Sequence, residues 1–374
     1  VIPFNKPYIT KLEKKYVTEA LFSGSIASNG NFTKRCEDFF ETKYGFEKVF
    51  LTTSCTSALE LAAILINIQA DDEVIVPSYT YVSTANAFVL RGAKIVFADS
   101  SSENPNIDTD SIESLITKRT KAIVPVHYAG IACDMDKITQ LAKKYNLSVV
   151  EDAAQAINSF YKSKPLGSMG DFGTCSFHET KNITSGEGGM LVINDKKYTN
   201  KAEIVKNKGT NRSDFLKGTI NKYEWVDMGS SFAPNEYTAS VLYAQLEKLE
   251  IIQQIRERKW RNYYNQLKPL ENEGKLSLPY IPDYATNNWH MFYLLCKNIT
   301  ERTNLISYLY KNGVQAVFHY QNLHNSIYYK DKHDGRILSN AERYTDCLLR
   351  LPLYCELSNV KQNKVIKLIS SFYK

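Results

Sequence analysis

A lysine, an aspartate and a glycine cluster have the types and spacing that could do chemistry together. Lys181 sits in Cys175-Ser176-Phe177-His178-Glu179-Thr180-Lys181-Asn182, and Gly186-Glu187-Gly188-Gly189 follows at once. Upstream, the β-rich run Leu147-Ser148-Val149-Val150 leads into Glu151-Asp152-Ala153-Ala154-Gln155. A carboxylate at one strand end and an amine at the next form the pair that pyridoxal phosphate (PLP) chemistry requires. The amine carries the cofactor as a Schiff base, and the acid holds a proton on the pyridine nitrogen so that the ring accepts electrons. A lone lysine is ordinarily solvated surface; the combination carries the reading.

Such a cofactor also needs a phosphate anchor and a flat partner. Leu51-Thr52-Thr53-Ser54-Cys55-Thr56-Ser57-Ala58 reads as strand, hydroxyl-rich turn and helix start. Free N–H groups of Cys55 and Thr56, with the Thr56 hydroxyl, would meet a dianion at the helix N-terminus. The plainer reading of this turn is a Ser/Thr helix cap. Tyr81, in Pro77-Ser78-Tyr79-Thr80-Tyr81-Val82-Ser83-Thr84, can offer its ring face to a planar cofactor, although such tyrosines also serve simple packing. Gln155, three residues after Asp152, could donate to the cofactor's phenolic oxygen. Ser176 could add a hydroxyl to the phosphate, while Gly186, Gly188 and Gly189 let the backbone pass close by.

These residues must be held by an ordered scaffold. Short β-branched runs at residues 48–51, 73–76, 94–98, 122–126, 148–151, 173–177 and 189–193 alternate with amphipathic stretches at 56–66, 83–90, 108–116 and 136–145. Strands alternating with helices predict an α/β fold, a largely parallel sheet covered on both faces, with ligands at the carboxyl ends of its strands. A long helical stretch over 235–267 is expected to bridge to a smaller C-terminal α+β unit, with a linker near 271–281 and a strand over 290–296. The expected division is a large cofactor-binding domain over 1–245 and a small domain over 246–374.

Composition narrows the classes. A net charge of +6, spread among scattered lysines and arginines, gives no basic cluster for a nucleic acid. The 7 cysteines form no Cys-x-x-Cys pair, so neither a disulfide framework nor a metal site is expected. Val1–Pro7 lacks the apolar run of a signal peptide, and no apolar run is long enough to span a bilayer. A cytoplasmic protein with reduced thiols and no membrane partner is the expectation.

From Ile2-Pro3-Phe4 through Leu351-Pro352-Leu353 the chain resembles the DegT/StrS-type nucleotide-sugar aminotransferases, PLP enzymes of fold type I. The resemblance rests on residues 53–60, 77–84, Glu151-Asp152-Ala153-Ala154-Gln155 and Ser176–Asn182. It implies Lys181 as the Schiff-base lysine and proton carrier, and Asp152 on the pyridine nitrogen. It also implies Gln155 at the phenolic oxygen, Tyr81 stacked on the ring, and Cys55, Thr56 and Ser176 at the phosphate. In relatives a partner subunit completes the site, which implies a homodimer with shared active sites. Ser231 stands where relatives usually carry asparagine, Ala233 where they carry arginine, and Cys55 where they carry glycine. His319 and Tyr320 fall where relatives reach across to the nucleotide diphosphate. Segments 126–130, 176–182, 208–213 and 316–320 are most similar to members that aminate a dTDP-linked 4-keto-6-deoxyhexose. That similarity implies L-glutamate as donor and a 4-amino-4,6-dideoxygalactose product. Other members aminate position 3 or give the gluco epimer, and some dehydrate sugars with a histidine in place of the lysine.

Overall fold

A computed structural model of the chain describes all residues from Val1 to Lys374. Five strands, β1 (Lys48–Thr52), β2 (Glu73–Pro77), β3 (Lys94–Ala98), β4 (Thr120–Ile123) and β5 (Ser148–Asp152), precede a small hairpin, β6 (Phe160–Tyr161) and β7 (Lys164–Pro165). Then come β8 (Phe172–Ser176) and β9 (Gly189–Ile193). The main sheet has 7 strands in the order β1-β9-β8-β5-β4-β2-β3. Every neighbouring pair is parallel except those β9 makes with β1 and β8.

Two-sided coverage explains the unbroken apolar runs. Every residue of β2, β8 and β9 is buried, the pattern of a sheet sandwiched between helices rather than one wet on a face. Alternation then sorts the side chains. Val74, Val76, Leu191 and Ile193 join the core beneath the helix Cys55–Leu65, while Ile75, Met190 and Val192 join the opposite one with Phe40 and Leu242. A third core gathers Trp260, Tyr263 and later residues around β10 (Phe292–Leu295), β11 (Val317–Phe318) and β12 (Leu348–Leu351), which form a sheet ordered β10-β12-β11. Ile2 belongs to this third core and bridges to Val314, so the first residues dock on the C-terminal unit.

The expected helix over 235–267 is two helices, Glu236–Leu246 and Leu249–Asn272. The chain turns at Lys248, whose backbone (φ −106°, ψ 2°) leaves the helical region. No proline or glycine marks this break, and the apolar pattern runs through it. The division expected at 245/246 falls in the last turn of the first of these helices. The stretch expected as a linker over 271–281 instead continues the second helix to Asn272, then buries Leu276 and Leu278 and pairs Ser277 with Leu295. Of the helix expected over 108–116, only the turn Ile112–Leu115 forms.

Candidate active site

The carboxyl ends of β1, β5 and β8 lie along one edge of the sheet. Because β9 runs antiparallel, its first residue, Gly189, meets both Thr52 and Ser176 there. An ideal Cβ on Gly189 would overlap the main chain of Ser54 and Cys55. Only glycine lets the strand pass this close to the turn that starts the next helix.

A cavity of about 370 Å³ opens at this edge. Cys55, Thr56, Tyr81, Asp152 and Gln155 line it, together with Ser176, Lys181, His319 and Tyr320. Ser231 does not. It is exposed and bridges to Asn207, away from the cavity of its own chain. His319 and Tyr320, expected to contact the substrate, line the cavity of the chain that carries them.

The Ser54-Cys55-Thr56-Ser57 turn starts a helix at the cavity. Ser54 caps the helix by accepting from the Ser57 N–H at 3.0 Å. Cys55 and Thr56, the first helical residues, therefore keep N–H groups with no intrahelical acceptor. The Thr56 hydroxyl donates to Ser83 at 2.8 Å. Burial pushes the Cys55 thiol well above its usual pKa, which excludes a reactive thiolate and leaves its N–H as the useful group.

Asp152 ends β5 and is only 5% exposed. Its Oδ2 accepts from the Thr84 hydroxyl at 2.7 Å and its Oδ1 from the Ala154 N–H at 3.1 Å. Burial raises its carboxyl pKa; the Thr84 and Ala154 donors and the Lys181 charge offset part of that. Gln155 accepts from the Ala129 N–H at 2.6 Å and donates to the Tyr320 hydroxyl at 3.2 Å. Tyr81, 57% exposed, stands over the cavity mouth with its ring centroid 5.9 Å from that of Tyr320.

Lys181 lies in the β8–β9 loop rather than on the strand itself, and the residues after it tether that loop. Buried Asn182 donates to Gln253 Oε1 at 2.9 Å and to the Asn288 carbonyl at 2.7 Å, and its Oδ1 meets His290 Nδ1 at 2.9 Å. Enclosure of the amine lowers the Lys181 pKa from 10.5 to about 8. Arg350 adds to the lowering, while Asp152 opposes it. Cys55 would oppose it only as a thiolate, and burial keeps it neutral.

Two residues of the site, Thr84 and Arg350, are not marked by the sequence reading. Thr84 is one of several hydroxyls in its segment, and nothing local says which one meets Asp152. Arg350 leaves a fainter signal, a single charge inside the apolar run Leu348-Leu349-Arg350-Leu351.

The donor set fits PLP: an enclosed amine, a buried carboxylate without a cation paired to it, and free N–H groups at a helix start. The chain matches the DegT/DnrJ/EryC1/StrS aminotransferase family over residues 7–370. It belongs to this family. It is 33% identical over 384 residues to the spore coat polysaccharide biosynthesis protein SpsC of Bacillus subtilis, covering 100% of this chain and 97% of that one. It is 32% identical over 376 residues to GDP-perosamine synthase of Escherichia coli O157:H7, covering 100% and 98%. A Streptococcus pneumoniae chain solved in its PMP form superposes with a TM-score of 0.91 at 27% identity, covering 100% of this chain and 99% of its own, and is also known in a PLP form. The family chain is a PLP-dependent sugar aminotransferase of fold type I. None of its helices is long and apolar enough to cross a membrane.

Proposed function

We propose that the enzyme transfers the amino group of L-glutamate to a dTDP-linked 4-keto-6-deoxyhexose, giving dTDP-4-amino-4,6-dideoxy-D-galactose and 2-oxoglutarate. The observation that carries the transfer is the cavity that brings Lys181, Asp152 and the Ser54–Ser57 turn together. Bound there, PLP would supply the aldehyde that takes up the donor's amine and a ring that accepts the released electron pair. The N–H groups of Cys55 and Thr56 would hold its phosphate, Tyr81 would cover its ring and Asp152 would keep the ring nitrogen protonated. Lys181, with its pKa lowered to about 8, is neutral in about a tenth of molecules at pH 7, far more than an ordinary lysine. It can therefore take a proton from the donor carbon and deliver it elsewhere. Freed of that proton it is a base; holding it, an acid.

The choice of sugar rests on segments 126–130 and 316–320. Both reach the cavity region, and the Tyr128 hydroxyl meets His319 Nδ1 at 2.9 Å. The name of the GDP-perosamine synthase relative favours a second reading, in which another nucleotide keto-sugar is the acceptor. Incubating the enzyme with dTDP-4-keto-6-deoxyglucose and glutamate, followed by NMR of the product, separates them. An axial 4-amine is expected; an equatorial amine, a 3-amino sugar or no product would overturn the assignment.

The same reading makes the enzyme a cytoplasmic homodimer with sites shared across the interface. Ser231 is exposed, and Trp225 (82% exposed), Val226 and Met228 nearby expose apolar surface without a partner in their own chain. Sedimentation at micromolar concentration should give a dimer, and a Trp225→Ser variant should shift it toward monomer; a monomeric wild type would refute this.

A further inference from the structure

The extended segment that leads into β10 from the C-terminal unit is bonded to two separate parts of the site. Its buried Asn288 spends the whole side chain on them. Asn288 Nδ2 donates to the Gln155 carbonyl at 2.7 Å and to the Ile157 carbonyl at 2.9 Å, while its Oδ1 accepts from the His290 N–H at 3.1 Å. The main-chain carbonyl of Asn288 accepts from Asn182, the residue after Lys181, at 2.7 Å. His290 adds a second tie, its Nδ1 lying 2.9 Å from Asn182 Oδ1. An amide oxygen can only accept, so Nδ1 carries the proton. Burial holds the pKa of this ring well below the usual histidine range, and the ring is neutral.

Strain marks the same segment. Trp289 has φ +60°, a left-handed conformation that so bulky a side chain rarely adopts. Arg256, buried on the helix Leu249–Asn272, donates to the carbonyls of Trp289 and His290 and so fixes the backbone on either side of that bend. A costly conformation persists only where its surroundings impose it, and such residues collect where exact placement matters. Lys181 belongs to the loop after β8, and Asp152 and Gln155 to the end of β5 and the turn after it. A continuous chain of bonds runs from the Gln155 carbonyl through Asn288 to Asn182. Asn288 itself does not line the cavity.

We propose that Asn288 is a positioning residue of the transamination, which locks the loop carrying Lys181 to the turn carrying Asp152 and Gln155 and so sets where the amine stands relative to that carboxylate. It acts through Asn182 and Gln155 rather than on a substrate. The inference rests on Lys181 being the cofactor lysine but not on which sugar is aminated.

The test is Asn288→Ala, which removes the bonds to Gln155 and Ile157 and keeps the main-chain carbonyl that holds Asn182. The rate of PLP uptake by the cofactor-free protein is measured against pH, with a wild-type midpoint of about 8 set by Lys181. Cutting the link loosens the loop and lets water reach the amine, so the midpoint should rise by at least about half a unit. Asp152 and Arg350, the charged groups near that amine, remain in the variant, and Cys55, Cys175 and His290 are neutral, so the shift reads the enclosure of the amine. In the PLP-loaded variant, the single-turnover rate at saturating glutamate should fall about ten- to hundredfold. The glutamate concentration giving half that rate should change by less than about threefold, because no substrate contact is lost. An unmoved midpoint would overturn the inference, and so would a half-saturating concentration that rises as much as the rate falls. A loss of stability alone would leave Asn288 a packing residue and overturn it too. Should Asn288→Ala fail to fold, His290→Phe, which removes the ring's bond to Asn182, decides by the same two measurements. A wild type that takes up no PLP would overturn the aminotransferase reading and this inference with it; uptake with an unmoved midpoint in the variant removes this inference alone.

Discussion

The hydroxyl of Thr84 gives the sharpest test of how the fold sets the charge on Asp152. The carboxylate is 5% exposed, and this hydroxyl is its only side-chain donor, at 2.7 Å. Thr84→Val keeps the shape and removes the donor. A hydrogen bond to a charged group contributes about 1.5–3 kcal/mol, and a neutral one about 1 kcal/mol. Burial already raises the Asp152 pKa in the folded protein above its unfolded value, so ionisation of this group opposes folding at neutral pH. Removing Thr84's donor raises that pKa further. The variant should therefore lose about 1.5–3 kcal/mol at a pH above the raised folded-state pKa, where Asp152 is ionised in both states. As the pH falls through the folded-state pKa the carboxyl protonates, and the loss should shrink toward about 1 kcal/mol. Urea unfolding of the cofactor-free protein across a pH series from acid to alkaline measures both. With cofactor bound, a less stable carboxylate holds the ring proton less firmly, and the single-turnover rate with glutamate should fall about ten- to hundredfold. A loss under about 0.5 kcal/mol at the alkaline end of the series, or one identical across it, would refute the reasoning.

Other perturbations probe the rest of the site and the frame. The Lys181 amine is neutral above its lowered pKa, so PLP uptake by the cofactor-free protein should rise through about pH 8 and then level; a rate still climbing toward pH 10 would place the amine in an ordinary environment. Gly189→Ala sets a Cβ against the main chain of Ser54 and Cys55 and should weaken PLP binding at least tenfold, read by fluorescence titration, with Gly186→Ala tested alongside because its Cβ would meet nothing within 4 Å. Because φ at Gly186 is +82°, that control should lose about 1 kcal/mol of stability while keeping its cofactor affinity. Glu236 accepts from the N–H groups of Gly30, Phe32 and Thr33 at the start of the helix Asn31–Tyr44. Glu236→Ala leaves these buried donors unmet and should cost about 3 kcal/mol in chemical denaturation.

Much of the frame was legible because it depends on short-range pattern. The strands at 94–98 and 189–193 occupy the expected residues, since each is a short β-branched run bounded by turns, the second buried throughout and the first open in part at the sheet edge. The Ser54–Ser57 turn with its helix start and the Asp152–Gln155 spacing were legible for the same reason. The pattern failed where packing overrode it. Leu246-Glu247-Lys248-Leu249 reads as uninterrupted helix, yet the chain turns there because Leu242 and Leu246 pack beside the main sheet while Trp260 and Tyr263 must reach the third core. Residues 108–116 carry a helical period, but Ile107 is taken by a bridge to Ser100 and only one turn remains.

The sequence alone determined which chemical groups are present and in what local setting: the amine at Lys181, the carboxylate at Asp152, the helix start at Cys55 and the glycines that follow. Hydrogen bonding within a turn and side-chain alternation along a strand act over a few residues, so they can be read from a few residues. The tertiary structure decided what those groups are able to do. It ran β9 backwards so that Gly189 meets the Ser54–Ser57 turn, chose Thr84 among several hydroxyls, lowered the pKa of Lys181 by enclosing it, and brought Arg350 from the far end of the chain with no anion to meet. Enclosure and unpaired charge depend on everything that surrounds a group, and that is assembled only when distant segments pack.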